Sequence, residues 1–456
     1  MTFTTTVRFG PGMSDAPSPL LDIAHRLLAA VTLLGACAAA VAPAQAASWK
    51  LEPIAASEGV SELRDLAFDA EGRAVLSWSG ARIARRPSLF GGLATRDPSG
   101  RWQRPPDLDT IQPATARLHV VAMTKTLLVA REGRTEANLR RLVFADGQSD
   151  GGFGPLTPLD DFVTEHWSAA NAAGDAIVAW NSERSPFLRV AERAAGQPFA
   201  AARELAVGRS AAVAINARGD RVLVWRAGQR LAARVRPAGG DWSDTVRFGR
   251  ITAIQDLRLR ALVVRNGRIV LTWGSAGRPC GVSVRDGAGR WRSHTLERSC
   301  GPTGADRRAA PVLPVADGRG ATYVAWTGRT RTGRRAVKFA RVGPGASATP
   351  LVLSRERGAV LDDVAAGPRR ALAITYAAPR PTRANPLIVA TFVALRRGGA
   401  AFAYERLTPL DFAARRGSRV AFAPVTGAPV VALPFLIGLN VGVAAAVGPA
   451  APVAAP

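Results

Sequence analysis

Lysine, histidine, tyrosine and cysteine are all scarce in this chain of 456 residues. The only lysines are Lys50, Lys125 and Lys338, and there are four histidines, three tyrosines and three cysteines. No phosphate-binding loop or dinucleotide fingerprint lies between a strand and a helix, which removes the common nucleotide-binding folds. His119, His166 and His294 fall in different stretches without paired spacing, so neither a histidine metal centre nor a nucleophile–histidine triad is expected. Glu165-His166-Trp167 is the most enzyme-like cluster, yet a lone triplet in a loop is ordinary. Asp160-Asp161 and Asp362-Asp363 could act as acid/base pairs or hold a cation. Each reads better as an acidic turn immediately before a strand. The sequence therefore predicts no catalytic residue, no metal and no cofactor, and it leans away from an enzyme.

What it has in abundance is arginine. Lys and Arg together number 60 against 35 Asp and Glu, a net charge of +25. With so much Ala, Gly, Val and Pro, part of this surplus reflects a GC-rich codon bias. A basic excess favours acidic partners, but here it is dispersed along the chain, as on a solvated surface. The first residues read as a secretory signal over 1–46. His25 and Arg26 precede an apolar run at 27–42, and Ala44-Gln45-Ala46 supplies small residues for cleavage after Ala46. The run is too short for a membrane-spanning helix. An alternative is a lipobox, Leu34-Gly35-Ala36-Cys37, which would make Cys37 a lipid anchor and is the only route to a membrane. Cys280 and Cys300 remain, and an isolated pair in an exported chain is expected to form one disulfide. It would clamp a hairpin around Gly287-Ala288-Gly289.

The mature region, 47–448, is organised by a repeat. Asp69-Ala70-Glu71-Gly72 separates two alternating strands, and the second carries Trp78. The same arrangement returns at Trp180, Trp225, Trp273 and Trp326, and in degenerate form near Arg131, Tyr376 and Leu433. The period is roughly 50 residues, in the range of propeller blades. Asn or Asp with Gly suits tight hairpin turns, and Val, Leu, Ile and Trp at period two suit half-buried strands. A second signal, glycine then an aromatic, falls between the copies: Gly100-Arg101-Trp102, Gly240-Asp241-Trp242 and Gly289-Arg290-Trp291. Each unit thus has room for four strands, the third in the first unit expected at 81–85. With no helical stretch, this predicts an all-β single propeller of about eight four-stranded blades, with seven as the alternative. Trp78, Trp180, Trp225, Trp273, Trp326 and Tyr376 are expected to pack between units. The segment 49–54 reads as a lone fourth strand that would complete the last unit. The apolar stretch 430–448 is long enough for a membrane span, but Pro434 and Asn440 interrupt it, and closing strands are the preferred reading. Residues 449–456 form a Pro/Ala tail expected to be disordered.

By these features the chain resembles bacterial exported propeller-repeat proteins. Asp97-Pro98-Ser99-Gly100-Arg101-Trp102 and Asp286-Gly287-Ala288-Gly289-Arg290-Trp291 look like the Asp-box turns of sialidase-type propellers, with shifted glycine and aromatic spacing. What that family would need for hydrolysis is missing: there is no Arg-Ile-Pro element, and Tyr323, Tyr376 and Tyr404 all sit in strand-like contexts. The expected function is a secreted or cell-surface binding module for a protein or an anionic cell-envelope polysaccharide, acting as a monomer, with nucleic acid disfavoured by export. The alternative is a glycan-active hydrolase or lyase with its site in the central channel.

Overall fold

The computed structural model describes residues 49–450, apart from 56–59, 70, 83–87, 104–116, 122–124, 135–139, 148–152, 252–256, 276, 301–311, 344–348, 380–388, 409–412, 415–416 and 438–439. The signal segment 1–46 with Cys37 and Ala46, the tail from 451, and the side chains of His119 and Arg131 lie outside the described residues.

Among the described residues there is no α-helix, only strands, turns and one 3-10 turn at Pro368–Arg370. Blade 1 pairs Val60–Phe68, Ala74–Arg82, Ser88–Arg96 and Trp102–Gln103 in that order, all antiparallel. Blades 2 to 6 repeat the order over 117–160, 163–207, 209–250, 258–300 and 312–352. Blades 7 and 8 share one larger sheet, because the short strand Ala413–Ala414 bridges Val389–Arg396 of blade 7 and Pro429–Ile437 of blade 8. The protein is therefore an eight-bladed β-propeller of four-stranded blades. In blade 8 the fourth strand is Lys50–Ala55, lying antiparallel on Asn440–Val447 with Lys50 opposite Val447. The stretch 430–448 makes the second and third strands of that blade. Each first strand touches the first strand on either side, and Arg419–Phe422 of blade 8 touches Val60–Phe68 of blade 1, so the ring is closed.

The burial pattern follows from this arrangement. A blade in the ring is covered on both faces, so its middle strands are apolar throughout instead of alternating. Ile269–Gly274 is buried at every position, and Leu372–Pro379 at all but the last. Fourth strands sit on the rim, and Leu351–Val352 is exposed. In blade 1 the third strand is Ser88–Arg96 and not 81–85, because the second strand keeps pairing beyond Trp78 as far as Arg82. The tryptophan marks the middle of its strand.

Each repeat aromatic packs against the preceding blade. Trp78 lies with Val430, Ala432 and Val443 of blade 8, and Trp180 with Leu142 and Phe144 of blade 2. Trp225, Trp273, Trp326 and Tyr376 pack on blades 3, 4, 5 and 6 in the same way. The residue opposite the aromatic, on the third strand, must make room for it. It is Gly92 opposite Trp78 and Gly281 opposite Trp273. Opposite Trp180 and Trp326 it is a cation, Arg189 and Lys338. A Cβ on Gly281 would meet the Trp273 ring at 2.3 Å, whereas one on Gly287 would meet nothing within 4 Å.

The turns between first and second strands are joined from blade to blade. Asn171 Oδ1 accepts from the N–H of Ala173 and Asp175 within its own turn, and its Nδ2 donates to the Asn216 carbonyl in blade 4 at 3.0 Å. Asn216 repeats this toward the Val264 carbonyl of blade 5 at 3.1 Å. The glycine in these turns has positive φ, as at Gly174 (103°) and Gly219 (92°), where a side chain is disfavoured.

Cys280 and Cys300 are joined in a buried disulfide with a Cα separation of 5.9 Å, tying the start of the third strand of blade 5 to the end of the fourth. Closing a loop of this size stabilises by about 3 kcal/mol. The double substitution Cys280→Ser, Cys300→Ser is expected to lower the urea-unfolding free energy by roughly that amount. Overpacking costs about 1–3 kcal/mol, so Gly281→Ala should destabilise within or above that range while Gly287→Ala leaves the thermal midpoint unchanged. Equal effects at the two glycines would contradict the packing described.

Candidate functional site

Placed in the ring, the acidic and histidine candidates do not converge. His166 is buried in the first strand of blade 3, between an exposed Glu165 and a partly buried Trp167 that packs toward blade 4. His294 lies in the fourth strand of blade 5. Among the described residues no group of three or more His, Cys, Asp or Glu could hold a metal ion.

The two Asp pairs serve as links between blades. Asp160 ends the fourth strand of blade 2, and its Oδ2 accepts from Trp180 Nε1 at 2.5 Å and Arg189 Nη1 at 2.6 Å, both in blade 3. Asp161 pairs with Arg141. Asp362 and Asp363 do not precede a first strand but lie within one, Val360–Ala366, because pairing with Leu372–Pro379 begins at Val360. Asp362 accepts from the backbone N–H of Gly417 and Ser418 and from Ser418 Oγ at 2.8 Å, while Asp363 accepts from Val420 N at 3.0 Å. Together they hold the first strand of blade 8 to that of blade 7. Burial pushes the Asp362 carboxyl up to about 6, against the pull of the Ser418 hydroxyl and the neighbouring N–H donors. Burial also raises Asp363.

Other carboxylates repeat this role. Glu297 of blade 5 accepts from Lys338 Nζ at 2.7 Å and from Trp326 Nε1 at 3.4 Å, and Glu356 accepts from Tyr376 Oη at 3.0 Å. Glu52 receives Arg96 through both oxygens and Trp102 Nε1. Glu192 of blade 3 receives Arg236 Nη1 at 2.7 Å, Arg203 Nη2 at 2.6 Å and Trp242 Nε1 at 3.3 Å. Burial works to raise Glu192, but the Arg236 and Arg203 guanidinium groups outweigh it and hold the carboxyl below its ordinary range.

One place on the ring departs from this balance. On the face that carries the first-to-second and third-to-fourth turns, a cavity of about 470 Å³ opens across blades 5, 6 and 7. Its wall includes Arg268 and Arg319 from turns, Arg341 and Arg396 from the ends of third strands, and Arg370 from the turn of blade 7. The one acid in the wall, Asp317, is spent on its own turn and on Tyr323: it accepts from the N–H of Arg319 and Ala321 and from Tyr323 Oη at 3.3 Å. Among the described residues none of these five guanidinium groups has an ion-pair partner. Arg396 lies 4.8 Å from the Tyr323 ring centroid and 5.4 Å from that of Phe402, and its buried Nε has no hydrogen-bond partner. Arg370 occupies the turn position that is Gly174, Gly219 or Gly320 elsewhere, and it holds a φ of 64°, next to Arg369 at 52°. Left-handed backbone costs a non-glycine L-residue about 1 kcal/mol or more.

Sequence reasoning passed over this cavity because it looked for acids and histidines. Two signals were available. An arginine closes the third strand in several units (Arg96, Arg193, Arg236, Arg285, Arg396), and Gly367-Pro368-Arg369-Arg370 breaks the Asx-x-x-Gly turn pattern.

The Asp362 environment predicts a pH dependence. Its folded value of about 6 lies above the ordinary 3.8, so the folded protein holds the extra proton between those values. The contribution is full below about pH 4 and is lost as pH rises through 6, by up to about 3 kcal/mol. Urea-unfolding free energies of wild type minus Asp362→Asn should therefore fall between pH 4 and 7. Parallel profiles would show that this carboxyl does not titrate as described.

Compared with protein families and with curated proteins, the sequence has no match. Among solved structures, the chain is similar to an ulvan lyase of a new polysaccharide lyase family, 11% identical, with a TM-score of 0.49 over 88% of this chain and 96% of that one. It is similar to the β-propeller domain of the trilobed protease from Pyrococcus furiosus, 8% identical, TM-score 0.44, over 73% and 93%. An Aleuria aurantia lectin in complex with a fucosylated sugar follows at 11% identity and a TM-score of 0.33, over 64% and 98%. The eight-bladed fold of this chain stands on its own strand pairing.

Proposed function

We propose that the protein is an exported, non-catalytic binding module for an anionic polysaccharide of the cell envelope, acting as a monomer. The observation that carries this reading is where the charges go. Asp160, Glu192, Glu297, Glu356, Asp362 and Asp363 are each bonded within or between blades, leaving them poorly placed to exchange protons with a substrate. The cavity on the turn face keeps five arginines that have no ion pair among the described residues. Guanidinium groups match planar carboxylates and tetrahedral sulfates through paired N–H donors, and a concave basic surface concentrates anions near it. The disulfide of blade 5 accords with an oxidising compartment.

The competing reading is a hydrolase or lyase working in the central channel. Asp362 favours it, since a buried acid titrating at about 6 suits general acid–base work. Its oxygens, however, are taken up by Gly417 and Ser418. The two readings part in a sedimentation assay with purified bacterial cell wall, run beside a reducing-end assay on the same material. The module is expected to pellet with the wall, to be released as salt rises from about 0.05 to 0.5 M, and to generate no new chain ends. Release of oligosaccharides that is lost in Asp362→Asn would establish the enzyme instead.

A further inference from the structure

The blades share one register, so the cavity can be compared with its own counterparts around the ring. Number each blade from the residue that opens the second strand. The third-strand residue opposite that position is Arg96 in blade 1, Arg193 in blade 3, Arg236 in blade 4, Arg285 in blade 5 and Arg396 in blade 7. In three of these five cases the preceding blade supplies the counter-ion; among the described residues Arg285 and Arg396 have none, and of the two it is Arg396 that lines the cavity. Arg96 meets Glu52, Arg193 binds both oxygens of Asp146, and Arg236 meets Glu192. Glu192 stands opposite Ile177, the second residue of its second strand. The residue at that same register point in blade 6, opposite Tyr323, is Arg341. Where the junction of blades 3 and 4 joins a glutamate to an arginine, the junction of blades 6 and 7 sets an arginine beside an arginine, with a cavity between.

We infer that this cavity is a binding site for a carboxylate group of the polysaccharide, which does for Arg396 what the Glu192 side chain does for Arg236 three junctions earlier. The inference rests on the binding-module reading and specifies its ligand as a uronate-type acidic sugar. The fold itself indicates the chemistry, because a carboxylate is what neutralises the third-strand arginine wherever the chain provides its own partner. Arg236 and Arg221 lie 2.7 and 3.5 Å from Glu192; in blade 7 Arg396 is the counterpart of Arg236 and Leu372 that of Arg221, so the second cation on the group is Arg341 of blade 6. The buried Arg396 Nε supplies a donor that has no hydrogen-bond partner among the described residues. Arg319 and Arg370 widen the cation set toward the open side. At Arg370 the chain accepts a left-handed arginine where the turns of blades 1, 3, 4, 5 and 6 use glycine, which places a fifth guanidinium on the wall at a cost to the backbone.

The test is titration calorimetry with tetragalacturonate, with a sulfate-esterified maltotetraose and with uncharged maltotetraose, on four proteins. Arg341→Glu gives the cavity the internal carboxylate found at the other junction. Arg370→Gly relieves the turn while removing a cation. Arg331→Glu, in the exposed loop at the opposite end of blade 6, changes net charge as much as Arg341→Glu does. Tetragalacturonate should bind wild type and the Arg331→Glu protein alike. Arg341→Glu should lose about tenfold or more in affinity, the loss expected for one charge-assisted pair, with a thermal midpoint unchanged or raised. Arg370→Gly should weaken binding several-fold and raise the midpoint, opposite signs that no loss of folding can produce. Unaltered binding in Arg341→Glu, or equal losses in Arg341→Glu and Arg331→Glu, would overturn the site and leave the binding module standing. Binding of the sulfated sugar alone would overturn the carboxylate assignment. Failure of wild type to bind either acidic sugar, while still pelleting with cell wall, would overturn this inference only; failure of both assays would remove the binding reading as well.

Discussion

A four-stranded blade of this chain has two apolar faces and cannot cover either by itself. Everything else in the structure follows from that constraint. The second strands are buried from end to end, as in Ile269–Gly274, because another blade lies against each side. Burying apolar surface contributes about 25 cal/mol per Å², so the dominant favourable term is shared between neighbours and is realised only when the ring is complete. Pairing of Lys50–Ala55 with Asn440–Val447 provides the fourth strand that the last blade lacks in sequence order.

The junctions between blades carry a second, polar layer of specificity. Packing of an aromatic on the preceding blade fixes distance, but many apolar surfaces would satisfy it. The carboxylates and turn amides fix register. Asp160 reads both the indole and the arginine of blade 3, and Asn171 and Asn216 bridge turn to turn. A buried charge left without its partner is costly, so a misplaced blade would leave these groups stranded. The same logic makes the arginine-lined cavity an exception within the fold, where charge is assembled and not neutralised.

The architecture was legible in the sequence because its signals are local and repeated. Turns such as Asn216-Ala217-Arg218-Gly219 and a tryptophan at a fixed distance recur with the period of the blade, and the shift of the first unit's third strand came only from taking Trp78 as a strand end. The site was not legible, for a physical reason. Arg341 and Arg396 stand 55 positions apart, and nothing in either local sequence says that they face one cavity. Asp362-Asp363 illustrates the converse. The pair looked like a turn or a catalytic couple, whereas its partners Ser418 and Val420 lie in the next blade. Residues whose role is set by a neighbour across a junction can be assigned only after the register of the ring is known.

The central claim is that a carboxylate from outside neutralises Arg341 and Arg396 on the turn face of blades 6 and 7, as carboxylates of the preceding blade do for Arg96, Arg193 and Arg236. A crystal structure of the protein grown with tetragalacturonate tests it most directly. The expected result is a sugar carboxylate within hydrogen-bonding distance of both Arg341 and Arg396 in the cavity between blades 6 and 7. A sugar bound in the central channel against Asp362, with the arginine cavity unliganded, would contradict it.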